Sequence, residues 1–482
     1  MKKKFFSIII AAFLLLSLLS FVGCKKEVER SRYEITAEYQ DGILEVLTDF
    51  TYVNNTGTEI SELKFNLYGN AYREDSAYAP VSALFSPSAY YEGKSYGSLE
   101  ILSVSGCSEW EIGGADENIL IVKTKKSVYP GESTSISIES KLTLAKVNHR
   151  TGITRHSVNL GNFYPVLCAW EKPVGFYECE YYSDGDPFYS ECADYSVTFT
   201  VPSQFKAAMS GEIISESKEG EKTTYHSELK NARDFAVVLS EEFQILQKES
   251  NGVTIKYYYY KDTGPERMLE LLEKCMKYFS DTFGEYAYPV YSVVQTGFSV
   301  GGMEYPGLSM LGDHLIGGDY QYTAVHETAH QWWYAAVGNN QLENAWMDEG
   351  LAEYSTLMFF EKNPEYGFTR QALMLASNNA YQALYNVQSQ IFGQADTAMN
   401  KKLGEYLSEY HYIVIAYDKG KILFDTLRDA LKDKKFVAAL KRYYRDCSGK
   451  IAKPEDLMYA FRKSGTNLNS LFTSFIDGTA VI

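Results

Sequence analysis

The chain has 482 residues, a formal net charge of −16 and a hydrophobic fraction of 45%. That length accommodates two or three domains, each able to bury its own core. Acidic residues are in excess and no basic stripe follows the first few residues, which excludes a nucleic-acid-binding surface.

Lys2, Lys3 and Lys4 precede an apolar run from Phe5 to Leu19, the pattern of an export signal. Phe21-Val22-Gly23-Cys24 resembles a bacterial lipoprotein cleavage box, with Phe21 where Leu is usual. Residues 1–23 are therefore read as a lipoprotein signal peptide and Cys24 as the lipid attachment point. The mature protein is expected to be extracytoplasmic and membrane-anchored, with 24–32 as a charged tether; an uncleaved anchor and simple secretion are the alternatives. Six cysteines follow Cys24, and export permits disulfides. Cys168, Cys179 and Cys192 are close enough in sequence for one bridge among them, and buried thiols are the competing reading. No C-x-x-C occurs, which argues against a second zinc site.

From residue 33 to 245 short strands alternate with turns, as in Tyr195-Ser196-Val197-Thr198-Phe199-Thr200-Val201 before Pro202. This is read as an all-β, sandwich-like domain. Its aromatic stretch from Asn148 to Ser190 is read chiefly as packing against the next domain, and His149, His156 and His226 as isolated histidines. A second domain is placed at 246–482. It opens with a strand at Val253–Tyr260, a helix at Pro265–Phe283 and a strand at Tyr291–Thr296. Gly301-Gly302-Met303-Glu304 follows, where paired glycines suit a backbone lying close to a peptide. Further helices are expected at Arg370–Gln388, Tyr412–Ala430, Lys435–Tyr444, Pro454–Lys463 and Ser470–Ile476.

The densest pattern is His326-Glu327-Thr328-Ala329-His330, with Trp346-Met347-Asp348-Glu349-Gly350 after it. On a helix the two histidines share a face and can reach one cation. The helix is expected from Asp319, as N-cap, to a stop at Gly338, with His326, His330, Trp333 and Val337 on one stripe. A second helix from Asn344 to Glu361 turns Glu349 inward. Two imidazoles and one carboxylate leave a fourth position open, the arrangement of a catalytic rather than a structural zinc. One zinc per chain is expected, with Glu327 placed as the general base toward its water.

H-E-x-x-H with a glutamate nineteen residues after the second histidine resembles the aminopeptidase N-type gluzincin metallopeptidases. Gly301-Gly302-Met303-Glu304-Tyr305 is similar to that family's Gly-x-Met-Glu-Asn, with Tyr305 in place of Asn, and Tyr417-Asp418-Lys419-Gly420 to its Tyr-x-Lys-Gly. The resemblance implies an α+β, thermolysin-like, mostly helical catalytic domain behind the β domain. It also implies a substrate-binding strand at Gly301, Gly302, Met303 and Glu304, with Glu304 pairing with the free α-ammonium of a peptide. Val300 would border the first side-chain pocket. Tyr417 would be the oxyanion donor; on the residues alone Tyr406, Tyr410 and Tyr412 compete for that role, while His314 and His411 stand outside. Larger members carry a further helical domain for which this chain has no room, so a more open cleft, or one covered by another subunit, is expected. Three functions compete: a lipid-anchored zinc aminopeptidase acting on peptides with a free N-terminus, a gluzincin endopeptidase, and a non-catalytic peptide-binding protein on the same fold.

Overall fold

The computed structural model describes residues 29–480 and 482, and Ser31–Ile482 pack as one compact unit. The signal segment and Cys24 lie outside the described residues.

The N-terminal part is built on strands β1 (Arg32–Gln40), β2 (Ile43–Val53), β3 (Ser98–Ser105), β4 (Ser133–Thr143), β5 (Ala193–Pro202), β6 (Glu212–Glu219) and β7 (Lys222–Ala232). They form one sheet in the order β6-β7-β5-β1-β2-β4-β3. The period-2 alternation of β1 sends Tyr33, Ile35, Ala37 and Tyr39 inward, and that of β5 does the same for Tyr195, Val197, Phe199 and Val201. A four-stranded sheet that includes Ile60–Asn66 packs against this face: Phe50 of β2 meets Phe65 edge-on, with ring centroids 5.4 Å apart. Sheet on sheet is thus the arrangement the alternation predicts. Among the six described cysteines no disulfide is formed. Cys168, Cys179 and Cys275 are buried thiols whose pKa is pushed up by burial; of the two readings of Cys168, Cys179 and Cys192, a bridge among them or buried thiols, the bridge is not formed.

Strands β8 (Gln244–Ser250), β9 (Val253–Tyr259), β10 (Val290–Thr296), β11 (Gly302–Met303) and β12 (Leu308–Gly312) make a mixed sheet in the order β8-β9-β10-β12-β11. Helix α1 (Pro265–Phe283) makes the crossover between the parallel strands β9 and β10. It starts with proline in its first turn and buries Met268, Leu271, Leu272, Cys275, Met276, Phe279 and Phe283 along one stripe. The two-residue strand β11 forms the sheet's edge, leaving backbone groups to which an extended chain can pair.

The rest is helical: α2 (Gly317–Ala329), α3 (Trp346–Lys362), α4 (Arg370–Phe392), α5 (Gly420–Leu431) and α6 (Asp433–Cys447). Two expectations fail here. Helix α2 is capped by Ile316 rather than Asp319, which lies in the first turn where its charge still favours the helix dipole. At the other end α2 stops at Ala329, not Gly338. Tyr334 takes a φ of 139°, and the chain folds back so that Trp333 bridges Val337. Trp333 and Val337 are buried, as their periodicity indicates, but from a turn and not from a helix.

Candidate metallopeptidase active site

The fold-back after α2 sets the second histidine. His330 sits at the helix C-cap, and its Nδ1 donates to the Trp333 carbonyl at 2.9 Å. With that proton on Nδ1, Nε2 keeps its lone pair. The Nδ1 of His326 lies 3.0 Å from Glu353 Oε1, short of hydrogen-bond geometry, and that charge favours the same tautomer in the first histidine. Glu353, one turn beyond Glu349 on α3, is itself held by Lys421 Nζ at 2.6 Å and the Tyr322 hydroxyl at 2.7 Å.

Both imidazole lone pairs then meet at one point. His326 Nε2 and His330 Nε2 are 3.0 Å apart, and Glu349 Oε2 lies 3.3 and 3.2 Å from them. Glu349 Oε2 is buried without a hydrogen-bond donor among the described residues, while its Oε1 accepts from the Tyr417 hydroxyl at 2.6 Å. Three lone-pair donors facing each other in a buried space repel unless a cation lies between them. Nitrogen, nitrogen and oxygen donors at these separations suit a tetrahedral divalent zinc. His326, His330 and Glu349 are therefore brought together as their spacing requires.

Glycines hold the remaining parts close. At Gly302 an added Cβ would stand 2.2 Å from Glu327 Oε1, so glycine there leaves room for that carboxylate as well as for a passing peptide. Gly301, with a φ of 138°, occupies backbone space that other residues rarely enter. A Cβ at Gly420 would stand 2.7 Å from the Cα of Gly350, and one at Gly350 would lie 2.9 Å from the Cα of Gly420. The glycines of Asp348-Glu349-Gly350 and Lys419-Gly420 thus touch where α3 and α5 cross. That contact sets Glu349 beside Tyr417.

Tyr417 lies in a π-helical segment, Val414–Lys419, between the short helix Glu409–Ile413 and α5, where one continuous helix is expected from sequence. Lys419 Nζ anchors the segment by donating to the Thr397 and Phe475 carbonyls at 2.5 and 2.6 Å. The Tyr417 ring lies nearly parallel to His326, with centroids 5.9 Å apart. Its pKa is raised well above the usual value by burial and then by Glu349, so it remains a proton donor. Of the competing tyrosines, Tyr410 is exposed, Tyr406 packs on His411 and Tyr412, and Tyr412 packs edge-on against Tyr417. His411 is tied to the Asp396 carbonyl and the Leu407 amide, away from the ligand set.

Glu304 is buried at the end of β11, and one of its oxygens lies within 4.8 Å of ligand atoms of both His330 and Asp348. Gln341 Nε2 approaches it at 3.4 Å and also donates to Asp348 at 2.6 Å. Burial, and then the charge of Asp186, pushes the Glu304 carboxyl well up; His330 opposes this. Glu327 is raised to about 7 by burial, with the two imidazoles pulling the other way. Tyr305, where the family pattern has Asn, sends its hydroxyl to Asn162 Oδ1 at 3.2 Å and fills the space beside Gly161. Its carbonyl accepts from Gln331 at 3.1 Å, so the backbone after Glu304 stays pinned.

One acidic group was not foreseen. The stretch Asn148–Ser190, read chiefly as packing, delivers Asp186, whose carboxylate lies within 4.8 Å of those of Glu304 and Glu349. It is held by Arg150, buried like it, which also donates to the Gly185 carbonyl at 3.1 Å and meets Met303 Sδ at 3.2 Å. The same guanidinium lies over the Phe188 ring, 5.3 Å from its centre.

Two buried imidazoles and one buried carboxylate, with a further carboxylate beside the first histidine, form a candidate metal centre. Comparison with known proteins agrees: residues 267–475 match the Peptidase family M1 domain. Aminopeptidase M1-B of Oryza sativa subsp. japonica is 26% identical over 306 residues, covering 59% of this chain and 34% of the relative. Endoplasmic reticulum aminopeptidase 2 of Homo sapiens is 28% identical over 151 residues, 31% of this chain and 15% of the relative. The chain spans about a third of the length of the first of these relatives and less of the second. An M1 zinc metallopeptidase from Deinococcus radiodurans has the same fold, with a TM-score of 0.65, 17% identity and 94% of each chain covered. The matched stretch, together with these relatives, supports a place among the M1 peptidases of the aminopeptidase N type.

Proposed function

We propose that the protein is a zinc-dependent aminopeptidase that removes N-terminal residues from peptides, with one zinc ion held by His326, His330 and Glu349. The observation that carries the reading is the pair of buried carboxylates, Glu304 and Asp186, converging beside the ligand set. Two such groups with a single guanidinium between them leave negative charge in need of a cation, and the α-ammonium of a peptide supplies it. An endopeptidase has no use for that charge, and a non-catalytic binder has none for Glu327. A mutant of the Deinococcus radiodurans enzyme has been solved with a bound Tyr-Ser-Ala substrate, a peptide of this class.

Zinc bound there would polarise the scissile carbonyl and acidify the attacking water. The protein's own groups do the rest. Glu304 and Asp186 hold the amine, so the first peptide bond is the one presented. The edge of β11 aligns the substrate backbone. Glu327 takes a proton from the attacking water and returns it to the leaving nitrogen. The Tyr417 hydroxyl donates to the developing oxyanion, and Gly302 keeps the space in which Glu327 works. Glu353 and the Trp333 carbonyl hold the histidine rings in their metal-binding tautomers.

The purified chain is expected to contain one zinc per molecule. Alanine at both His326 and His330 should abolish it in elemental analysis; full occupancy in that double variant would place the metal elsewhere.

The proposal extends to location, with the body from residue 33 carried outside the cytoplasm on a lipid at Cys24. It is supported by the Lys2–Lys4 run, the apolar segment after it and the small residue before the cysteine. Among the described residues no helix is long and apolar enough to cross a membrane. Cys24→Ser should abolish metabolic labelling with a fatty acid, and persistent labelling would exclude Cys24 as the attachment point.

A further inference from the structure

Helix α4 has a surface that the active site leaves unused. Its buried face, Met374, Ser377, Tyr381, Leu384 and Gln388, faces the protein interior, and the helix lies against the π-helical segment that carries Tyr417. The rest faces outward, yet residues 371–395 contain no Asp, Glu, Lys or Arg in a chain of which 22% is charged. Large apolar groups stand in the open there: Leu375 is 58% exposed, Val387 54%, Ile391 66% and Phe392 63%. A solvated helix of this length normally gains solubility from charged positions, so an uncharged face that mixes Gln and Asn with exposed large apolar groups marks a contact surface.

The pattern along that face identifies the occupant. Ala372, Ala376, Ala380, Ala383, Val387 and Ile391 share one stripe, at intervals of four, four, three, four and four residues. The intervals read the same from either end. An antiparallel copy of the helix therefore sets Ala372 against Ile391, Ala376 against Val387 and Ala380 against Ala383. At the two outer levels a small residue faces a large one, the condition for close helix packing about a two-fold axis. Tyr410, half-exposed, borders the middle level, with its hydroxyl 3.5 Å from the Ala380 carbonyl.

We propose that α4 is a self-association surface, on which a second copy of this chain packs through its own α4. Charge favours this occupant. Two copies of so acidic a chain repel, and a face free of ionisable groups is where they approach at least cost. An anionic lipid surface would require lysines or arginines. The helix has only Arg370, which is already paired with Asp425 and Asp429. One helix pair is a small interface, so the dimer should form and dissociate with protein concentration. It would place the second copy on the helix that backs the Tyr417 segment.

Sedimentation velocity of the full chain over a concentration series tests this. The wild type should shift from monomer toward dimer, and Val387→Lys/Ile391→Lys should remain monomeric while retaining peptidase turnover. Should that variant fail to fold, Ala380→Cys/Ala383→Cys offers a smaller change, with a cross-link between copies expected on mild oxidation and none in the wild type. A wild type that stays monomeric, a dimer that survives the lysine substitutions, or absence of the cysteine cross-link would overturn the proposal. So would a monomer that instead binds phosphatidylcholine vesicles through the same residues, which would make this a lipid-facing surface.

Discussion

Replacing Glu327 by Gln is expected to leave the zinc content unchanged and to lower turnover by at least ~100-fold. The amide keeps the shape that fits beside Gly302 but has no lone pair basic enough to accept the proton of the attacking water. The ligand atoms are three other side chains, so metal binding and proton transfer separate cleanly at this position. Burial already raises the carboxyl of Glu327 to about 7, which makes it a stronger base than an exposed glutamate. Tyr417→Phe should also keep its metal and lose kcat rather than KM, since its hydroxyl acts on the oxyanion and not on the bound substrate. Metal analysis alongside kcat in both variants gives the result. Loss of zinc from Glu327→Gln would assign that residue to the ligand set, and a near-normal kcat in Tyr417→Phe would pass the donor role to another group, with Tyr412 the adjacent candidate.

N-acetylation of a peptide substrate should cost roughly 30- to 1000-fold in kcat/KM. Removing the ammonium leaves Glu304 buried without its partner charge, a penalty of about 2–4 kcal/mol. Glu304→Ala should impair free-amine substrates by a similar factor and largely erase the preference over acetylated ones. Asp186→Asn should act in the same direction and more mildly, because Glu304 remains. Comparing acetylated and free peptides across the three proteins isolates the amine site from the metal. Internal cleavage of acetylated peptides at the rate of free ones would instead establish an endopeptidase.

What the sequence discloses about this site follows the range of the forces involved. His326, Glu327 and His330 are legible because one helical turn brings them together, and Glu349 because it shares one face of the next helix with Ala352, Thr356 and Phe360, which is buried. The end of α2 is not legible. Trp333 and Val337 continue an apolar period, and periodicity carries no trace of the turn that follows Ala329, with its positive φ at Tyr334, and brings the Trp333 carbonyl to His330. The π-helical segment around Tyr417 is hidden for a related reason, since its composition is that of ordinary helix and its geometry is imposed by Lys419 and the Gly350–Gly420 crossing. Glu353 could have been found: it is one turn from Glu349 on the same face, where a partner for a ligand histidine belongs. Asp186 could not, because nothing local announces that an aromatic loop of the β domain ends against Glu304. The absent disulfide has the same lesson, since closeness in sequence does not bring cysteines to bonding distance.

Asp186 and its Arg150 also decide what can be exchanged between related chains. The reacting groups, from Glu304 to Tyr417, lie in the stretch that matches the peptidase domain, whereas this carboxylate arrives from a loop outside it. On the proposed function, a chimera that kept the histidines but took its first half from a chain without this carboxylate would keep the cutting chemistry and lose part of the rule for where to cut. Under the proposed function recognition and reaction would be heritable separately, and they meet where Arg150 touches Met303 and Asp186 approaches Glu304.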